Sequence, residues 1–152
     1  MISEAKMLDI IKESILFTAI LSWFIAQILK VIFVVITSRK IDFTRFVGSG
    51  GMPSSHSAFV VSLATAIGLK EGFGSSIFAL AVVFALVVMY DAAGVRRAAG
   101  QMARKLNKLV EKWGIEDDKN REKRLKELLG HTPIEVFAGA VLGLVIGIIR
   151  HI

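Results

Sequence analysis

Four long apolar stretches, separated by strongly basic connections, constrain this chain more than any other feature. The first, Ser14–Ile36, is interrupted only by Gln27 and Lys30. It exceeds the about 20 residues needed to cross a hydrocarbon core. The others are Ser54–Leu69, Ser75–Ala93 and Pro133–Ile149. Each of these three fits either a short span or a buried core helix, because periodicity does not separate the two. Composition decides the class: 54% of the 152 residues are hydrophobic with the 13 glycines left out, against about 45–50% in soluble domains with glycine counted. The expected fold is all-α, a polytopic membrane bundle of about four transmembrane helices forming a single domain over residues 1–152. The first stretch reads as a retained span rather than a signal peptide, since it is longer than the usual run of about 7–15 residues and Ser38-Arg39-Lys40 follows it. Disorder is excluded by the apolar content. With no cysteine in the chain, a disulfide scaffold and a thiolate metal site are excluded too.

Charge sets the expected orientation. The Thr37–Pro53 and Asp91–Thr132 connections hold 14 of the 19 lysines and arginines. A net charge of +6 could suit nucleic acid, but this placement fits the positive-inside rule instead. Both connections are then cytoplasmic and both termini outside, in a multi-pass membrane protein with no nucleic-acid partner. Within the longer connection, Val95–Lys112 places Met102, Leu106, Leu109 and Val110 at helical spacing among basic residues, as expected of a cytoplasmic amphipathic helix lying at the interface. A break at Trp113–Gly114 and a short helix over Arg121–Leu129 follow. The plain alternative is a solvated basic loop.

Three stretches at the expected cytoplasmic face could carry chemistry. Gly48-Ser49-Gly50-Gly51-Met52-Pro53-Ser54-Ser55-His56-Ser57 precedes the second span. Its glycines and serines, at a helix N-terminus, supply N–H and hydroxyl groups suited to an anion. The plain reading is a glycine-rich loop with a serine cap and an incidental His56. Gly130-His131-Thr132-Pro133-Ile134-Glu135 opens the fourth span. Thr132-x-x-Glu135 is a capping box with proline at the first helical position. A carboxylate in a short span also needs a partner, and His131 is the nearest. Asp91 with Arg96 or Arg97 forms the third, readable as an interfacial ion pair or as a phosphate clamp. Lys30 could snorkel to the interface, pair with Asp91 or meet a bound anion. Gly139, Gly143 and Gly147 follow Glu135 at a spacing of four, making a close-packing face for the bundle or for a homodimer. There is no His/Cys metal cluster and no lysine-containing phosphate loop, which leaves phosphate chemistry without nucleotide hydrolysis.

At these residues the sequence resembles the type-2 phosphatidic acid phosphatase and vanadium haloperoxidase superfamily, in particular its small divergent bacterial and plastid branch. Pro53-Ser54-Ser55-His56 resembles the motif Pro-Ser-Gly-His, with Ser55 for glycine. His131 through Glu135 resembles the end of the motif Ser-Arg-x5-His-x3-Asp, with Glu for Asp and Leu125 where the arginine would stand. On chemical grounds Arg96 or Arg97 is the candidate replacement. Lys30 and Arg39 resemble the motif Lys-x6-Arg-Pro, with eight residues between them.

The resemblance implies a mechanism without metal or cofactor. His131 would be the nucleophile forming a phosphohistidine, Glu135 its orienting carboxylate and His56 the general acid. Ser54, Ser55, Lys30, Arg39, Arg96 and Arg97 would bind the phosphate. The expected activity is hydrolysis of a lipid phosphate monoester at the cytoplasmic face. Of the superfamily's substrates, phosphatidylglycerophosphate comes first and phosphatidate second, ahead of polyprenyl diphosphates, whose recycling is mainly an outer-leaflet task. The alternative is a catalytically weakened relative that binds or transports anionic lipid headgroups.

Overall fold

A computed structural model describes residues 14–38, 51–112 and 130–152. Among these the chain is all-helical: α1 (Ile15–Ser38), α2 (Ser55–Glu71), α3 (Ser76–Tyr90), a π-helical turn (Asp91–Val95), α4 (Arg96–Lys112) and α5 (Pro133–His151). Among the described residues three helical segments are long and apolar enough to cross a membrane, Ile15–Ile36, the rod beginning at Ser76, and Pro133–His151. The second expected span is the 17-residue α2, which falls short of that length and occupies the centre of the bundle, packed against α5, α1 and α3.

The inside and outside of the bundle are built from different residues. On α1 the buried positions are Thr18, Ala19, Ser22, Ala26, Gln27 and Lys30, while Leu16, Ile20, Trp23, Phe24 and Ile28 are exposed. In lipid, tail and core are equally apolar, so helices associate through close packing and hydrogen bonds, which favours small and weakly polar side chains inside. Several of the buried hydroxyls donate to backbone carbonyls. Ser22 donates to Ala58 O (3.0 Å), Ser62 to Phe59 O (3.0 Å) and Thr65 to Val61 O (2.8 Å).

The tightest seam joins α2 to α5. A Cβ on Gly139 would strike the Ser54 carbonyl, one on Gly143 the Ala58 carbonyl, and one on Gly147 the Thr65 side chain. All three glycines are buried. The spacing-of-four face is therefore covered by α2 within one chain, so of its two expected uses the structure shows packing inside the bundle.

The expected interfacial helix forms over almost the residues anticipated, but without a break before it. The rod continues from α3 through the π-helical turn into α4. Only Gly100 is buried on α4, and its apolar face is exposed, Met102 at 65% and Leu106 at 50%. The Arg121–Leu129 helix and the Trp113–Gly114 break lie outside the described residues.

Candidate active site

At one end of the bundle three segments meet: the start of α2, the π-helical turn and the start of α5. Backbone hydrogen bonds lock them together. Ser54 N–H donates to Glu135 O (2.9 Å), and His131 N–H donates to Ala92 O (3.0 Å). Gly130 lies so close to the Arg96–Arg97 backbone that any side chain there would collide with it. π-Helical turns recur at functional sites, and here one presents a carbonyl to the residue that precedes α5.

The capping box at α5 forms as its sequence predicts. Thr132 Oγ1 accepts from Glu135 N–H (3.3 Å), and Glu135 Oε2 accepts from Thr132 N–H (3.1 Å). The same Oε2 accepts from His131 Nδ1 at 3.0 Å. Capping and orienting are thus performed by one carboxylate at once. An ionised carboxylate only accepts, so Nδ1 carries the proton and the lone pair of the neutral ring falls on Nε2. That Nε2 is buried and has no hydrogen-bond partner. Burial pushes the His131 pKa below its ordinary value. The Glu135 hydrogen bond and charge oppose this, the Lys30 charge reinforces it, and the nearby Gly51 carbonyl favours the charged ring without reaching hydrogen-bond geometry. His131 is therefore a neutral base with a fixed tautomer near pH 7.

His56, in the first turn of α2, faces His131 edge-on with ring centroids 6.2 Å apart and planes at 66°. His56 is exposed while His131 is 3% exposed. Between them lies a cleft of about 20 Å³, lined also by Val88, Asp91, Ala92, Arg96 and Gly130. That is room for about one water molecule. Arg96 Nε donates to Asp91 Oδ2 (2.6 Å), and both side chains are largely open to solvent, at 54% and 40%.

The remaining expected site residues are placed less uniformly. Lys30 is 2% exposed, so it does not snorkel. Its stem lies along Gly51, where a Cβ would come within 3.2 Å of Lys30 Cγ, and Gly51 holds φ +92°, which favours glycine. Lys30 stands in electrostatic reach of Glu135, His56 and His131, which puts the expected pairing with Asp91 aside: Asp91 is held by Arg96. Ser54 is fully buried, and its Oγ accepts from Ser57 N–H (3.4 Å) and from Ser57 Oγ (3.1 Å). Both bonds use its oxygen as an acceptor in the helix cap, and neither uses its proton, which is the part a phosphate oxygen would take. Ser55 is buried at the first position of α2. Arg97 is exposed and does not line the cleft, so of the two arginines the structure brings only Arg96 to it. Arg39 lies outside the described residues. Sequence reasoning missed Ser57 as the partner of the cap and the Ala92 carbonyl as the anchor of His131. Neither carries a motif, and only the fold brings them in.

Comparison with known proteins agrees with this picture at the level of family. Residues 11–146 match the Divergent PAP2 family. The chain is 44% identical over 134 residues to the uncharacterized membrane protein YuiD of Bacillus subtilis (strain 168), covering 82% of this chain and 85% of that protein. No solved structure matches it.

Proposed function

The chain belongs to the divergent PAP2 family, and from that premise we propose that it hydrolyses a lipid phosphate monoester, phosphatidylglycerophosphate or phosphatidate, through a phosphohistidine. The observation that carries this reading is the His131 ring: Nδ1 held by Glu135 at 3.0 Å, Nε2 buried and unpartnered, a second imidazole across a cleft. In the first step Nε2 attacks phosphorus, forming a P–N bond as the ester P–O bond breaks. His56, protonated, gives its proton to the departing oxygen. In the second step water attacks phosphorus, His56 takes its proton, the P–N bond breaks, and phosphate leaves with His131 restored. Glu135 stabilises the ring as it becomes positive.

Charge on the equatorial oxygens is met by Lys30, Arg96 and the positive end of α2, whose first residues are Ser55 and His56. A cleft with room for one water must open for a phosphate. Releasing Arg96 from Asp91 does both tasks, since it widens the mouth and frees a guanidinium. An exposed pair of this kind is worth about 0–1 kcal/mol, so a dianion can displace the carboxylate.

The test is phosphate release from a panel of lipid phosphates in detergent, with EDTA present, for wild type and His131→Ala. A phosphoenzyme stable to alkali and labile to acid should form on wild type alone. Binding of lipid phosphates without any release would turn the reading into that of a headgroup binder. The cytoplasmic placement of the site rests on the basic connections and has its own check. Single cysteines at Ser49 and Asn120 should be shielded from an impermeant thiol reagent in intact cells, and one at Ser3 should be labelled. The reverse pattern would move the site to the outer face and remove the preference for phosphatidylglycerophosphate.

A further inference from the structure

The polar cleft opens on one side into apolar surroundings. His56 and Val88 line both the cleft and a larger groove of about 520 Å³ between α1, α2 and α3. Ile20 and Trp23 of α1, Phe59 and Val60 of α2, and Phe84 of α3 form its other walls. We infer that this groove seats the first carbons of the chain carried by the phosphate ester whose head enters the His56–His131 cleft.

The stereochemistry of the reaction selects this side, and the inference rests in that respect on the hydrolase reading. Attacking and leaving groups lie roughly in line across phosphorus. With His131 attacking, the ester oxygen departs toward His56, and the organic part of the substrate must extend beyond it. The groove begins there. A second apolar depression, of about 490 Å³ between α2, α3 and α5, shares no lining residue with the cleft and has no such continuity.

Depth limits what the groove can recognise. Its walls run from His56 to Val60 on α2 and from Val88 to Phe84 on α3, in each case about 6 Å at a rise of about 1.5 Å per residue. Only the start of a chain fits, and the rest lies in the bilayer. Since lipid is as apolar as the groove, the hydrophobic effect adds nothing here. The walls act by shape, holding the ester oxygen toward His56. The groove therefore distinguishes a substrate with a chain from one without, and is indifferent to length beyond the first carbons.

The experiment uses the full chain in lipid nanodiscs with a phosphatidate carrying a diazirine near the glycerol end of one chain. After photolysis, label should concentrate on peptides containing Trp23, Phe59 and Phe84. Excess unlabelled phosphatidate should displace it and phosphatidylcholine should not. Label spread over all lipid-facing helices, or displaced equally by phosphatidylcholine, reports annular lipid only and overturns the inference. In parallel, Ile20→Trp and Phe84→Trp, on exposed walls at 47% and 52%, should lower the ratio of kcat/KM for phosphatidate over phenyl phosphate about tenfold, the low end of what pocket contacts discriminate. The loss should be the same for dihexanoyl and dioleoyl chains. Leu80→Trp, exposed but outside the groove, should leave the ratio unchanged. An unchanged ratio in both groove variants would also overturn the inference. Focused, phosphatidate-specific labelling of a protein that releases no phosphate would keep the seat and sink the hydrolase reading. Robust hydrolysis with unfocused labelling would do the opposite.

Discussion

His131 and His151 stand at opposite ends of α5, and both are hydrogen-bonded, yet they are different chemical objects. His131 gives its Nδ1 proton to Glu135 and keeps a buried lone pair on Nε2. His151 meets Thr18 through Nε2 at 2.8 Å. With the Thr18 proton on Ser14 O (3.2 Å), the hydroxyl accepts and His151 Nε2 carries the proton. Its neighbours are cations, Lys70 and Arg150, with Arg150 lying over the Phe17 ring at 5.2 Å. One end of the helix thus offers a lone pair backed by a carboxylate and facing a second imidazole. The other offers a donor whose hydrogen bond ties α5 to α1. What holds the other nitrogen decides whether an imidazole in this bundle offers a lone pair or a donor.

The sharpest way to break this comparison is to remove each ring. His131→Ala should form no phosphoenzyme on any substrate. His151→Ala should keep turnover within about twofold and lose about 1 kcal/mol of stability, the scale of one hydrogen bond. Comparable losses of turnover in the two variants would show that neither end is specialised. His56→Ala comes next. General acid catalysis contributes about 10²–10⁴-fold, and it matters most for a poor leaving group. The loss should therefore be large on an alkyl phosphate and much smaller on an aryl phosphate. Equal losses on both would remove His56 from the leaving-group side.

Glu135→Gln tests the carboxylate that sets the two ends apart. Glutamine can still cap, so the melting temperature should move little, by less than the about 1 kcal/mol of a lost cap. Turnover should fall about 10²–10³-fold, less than the loss of about 10⁴ when the orienting Asp of a Ser-His-Asp protease becomes Asn, because Lys30 and Arg96 share the charge. The pH profile supplies a separate sign. The attacking ring must be neutral, so activity is lost as pH falls through the His131 pKa. Burial already lowers that pKa, and Glu135 opposes it. Removing the Glu135 charge lowers it further and moves the acid limb to lower pH. Lys30 pushes the other way, so Lys30→Met should move the limb up. Shifts of the same sign in both variants would contradict the electrostatic arrangement.

Much of this was legible in the sequence, and the failures have physical causes. The spans, the capping box and the amphipathic Val95–Lys112 helix follow from local pattern: apolar length, Thr132 and Glu135 three residues apart, and helical periodicity. The partner of the glycine face does not. A spacing of four tells two backbones to approach, and an α2 rich in serine and alanine satisfies it as well as a second copy would. Ser54 reads as cap or ligand because one hydroxyl has an oxygen to accept with and a proton to give, and the structure shows the capping half. The two arginines differ by one residue, about 100° around a helix of 3.6 residues per turn. Which one meets the cleft depends on the π-helical turn before them, a widening of the backbone that no residue type announces.

The smallest expected effect concerns that turn. It allows Asp91 to reach Arg96 five residues on (2.6 Å), a separation outside the three- and four-residue pairs that face each other on a regular α-helix. If Arg96 must leave Asp91 to meet the phosphate, the carboxylate is a competitor of the substrate and its removal should help binding. Asp91→Asn keeps the size of the side chain and removes the charge. An exposed pair worth about 0–1 kcal/mol limits the gain in affinity for phosphate to about fivefold at most. The gain should appear as a lower KM at unchanged kcat, and it should shrink as salt screens the pair in the native protein. Arg96→Gln should raise KM and cancel the benefit of Asp91→Asn in the double variant, since without the guanidinium there is nothing to release. Additive effects in that cycle would mean that Asp91 acts on the substrate directly, by repelling its charge, rather than by holding Arg96 away from it.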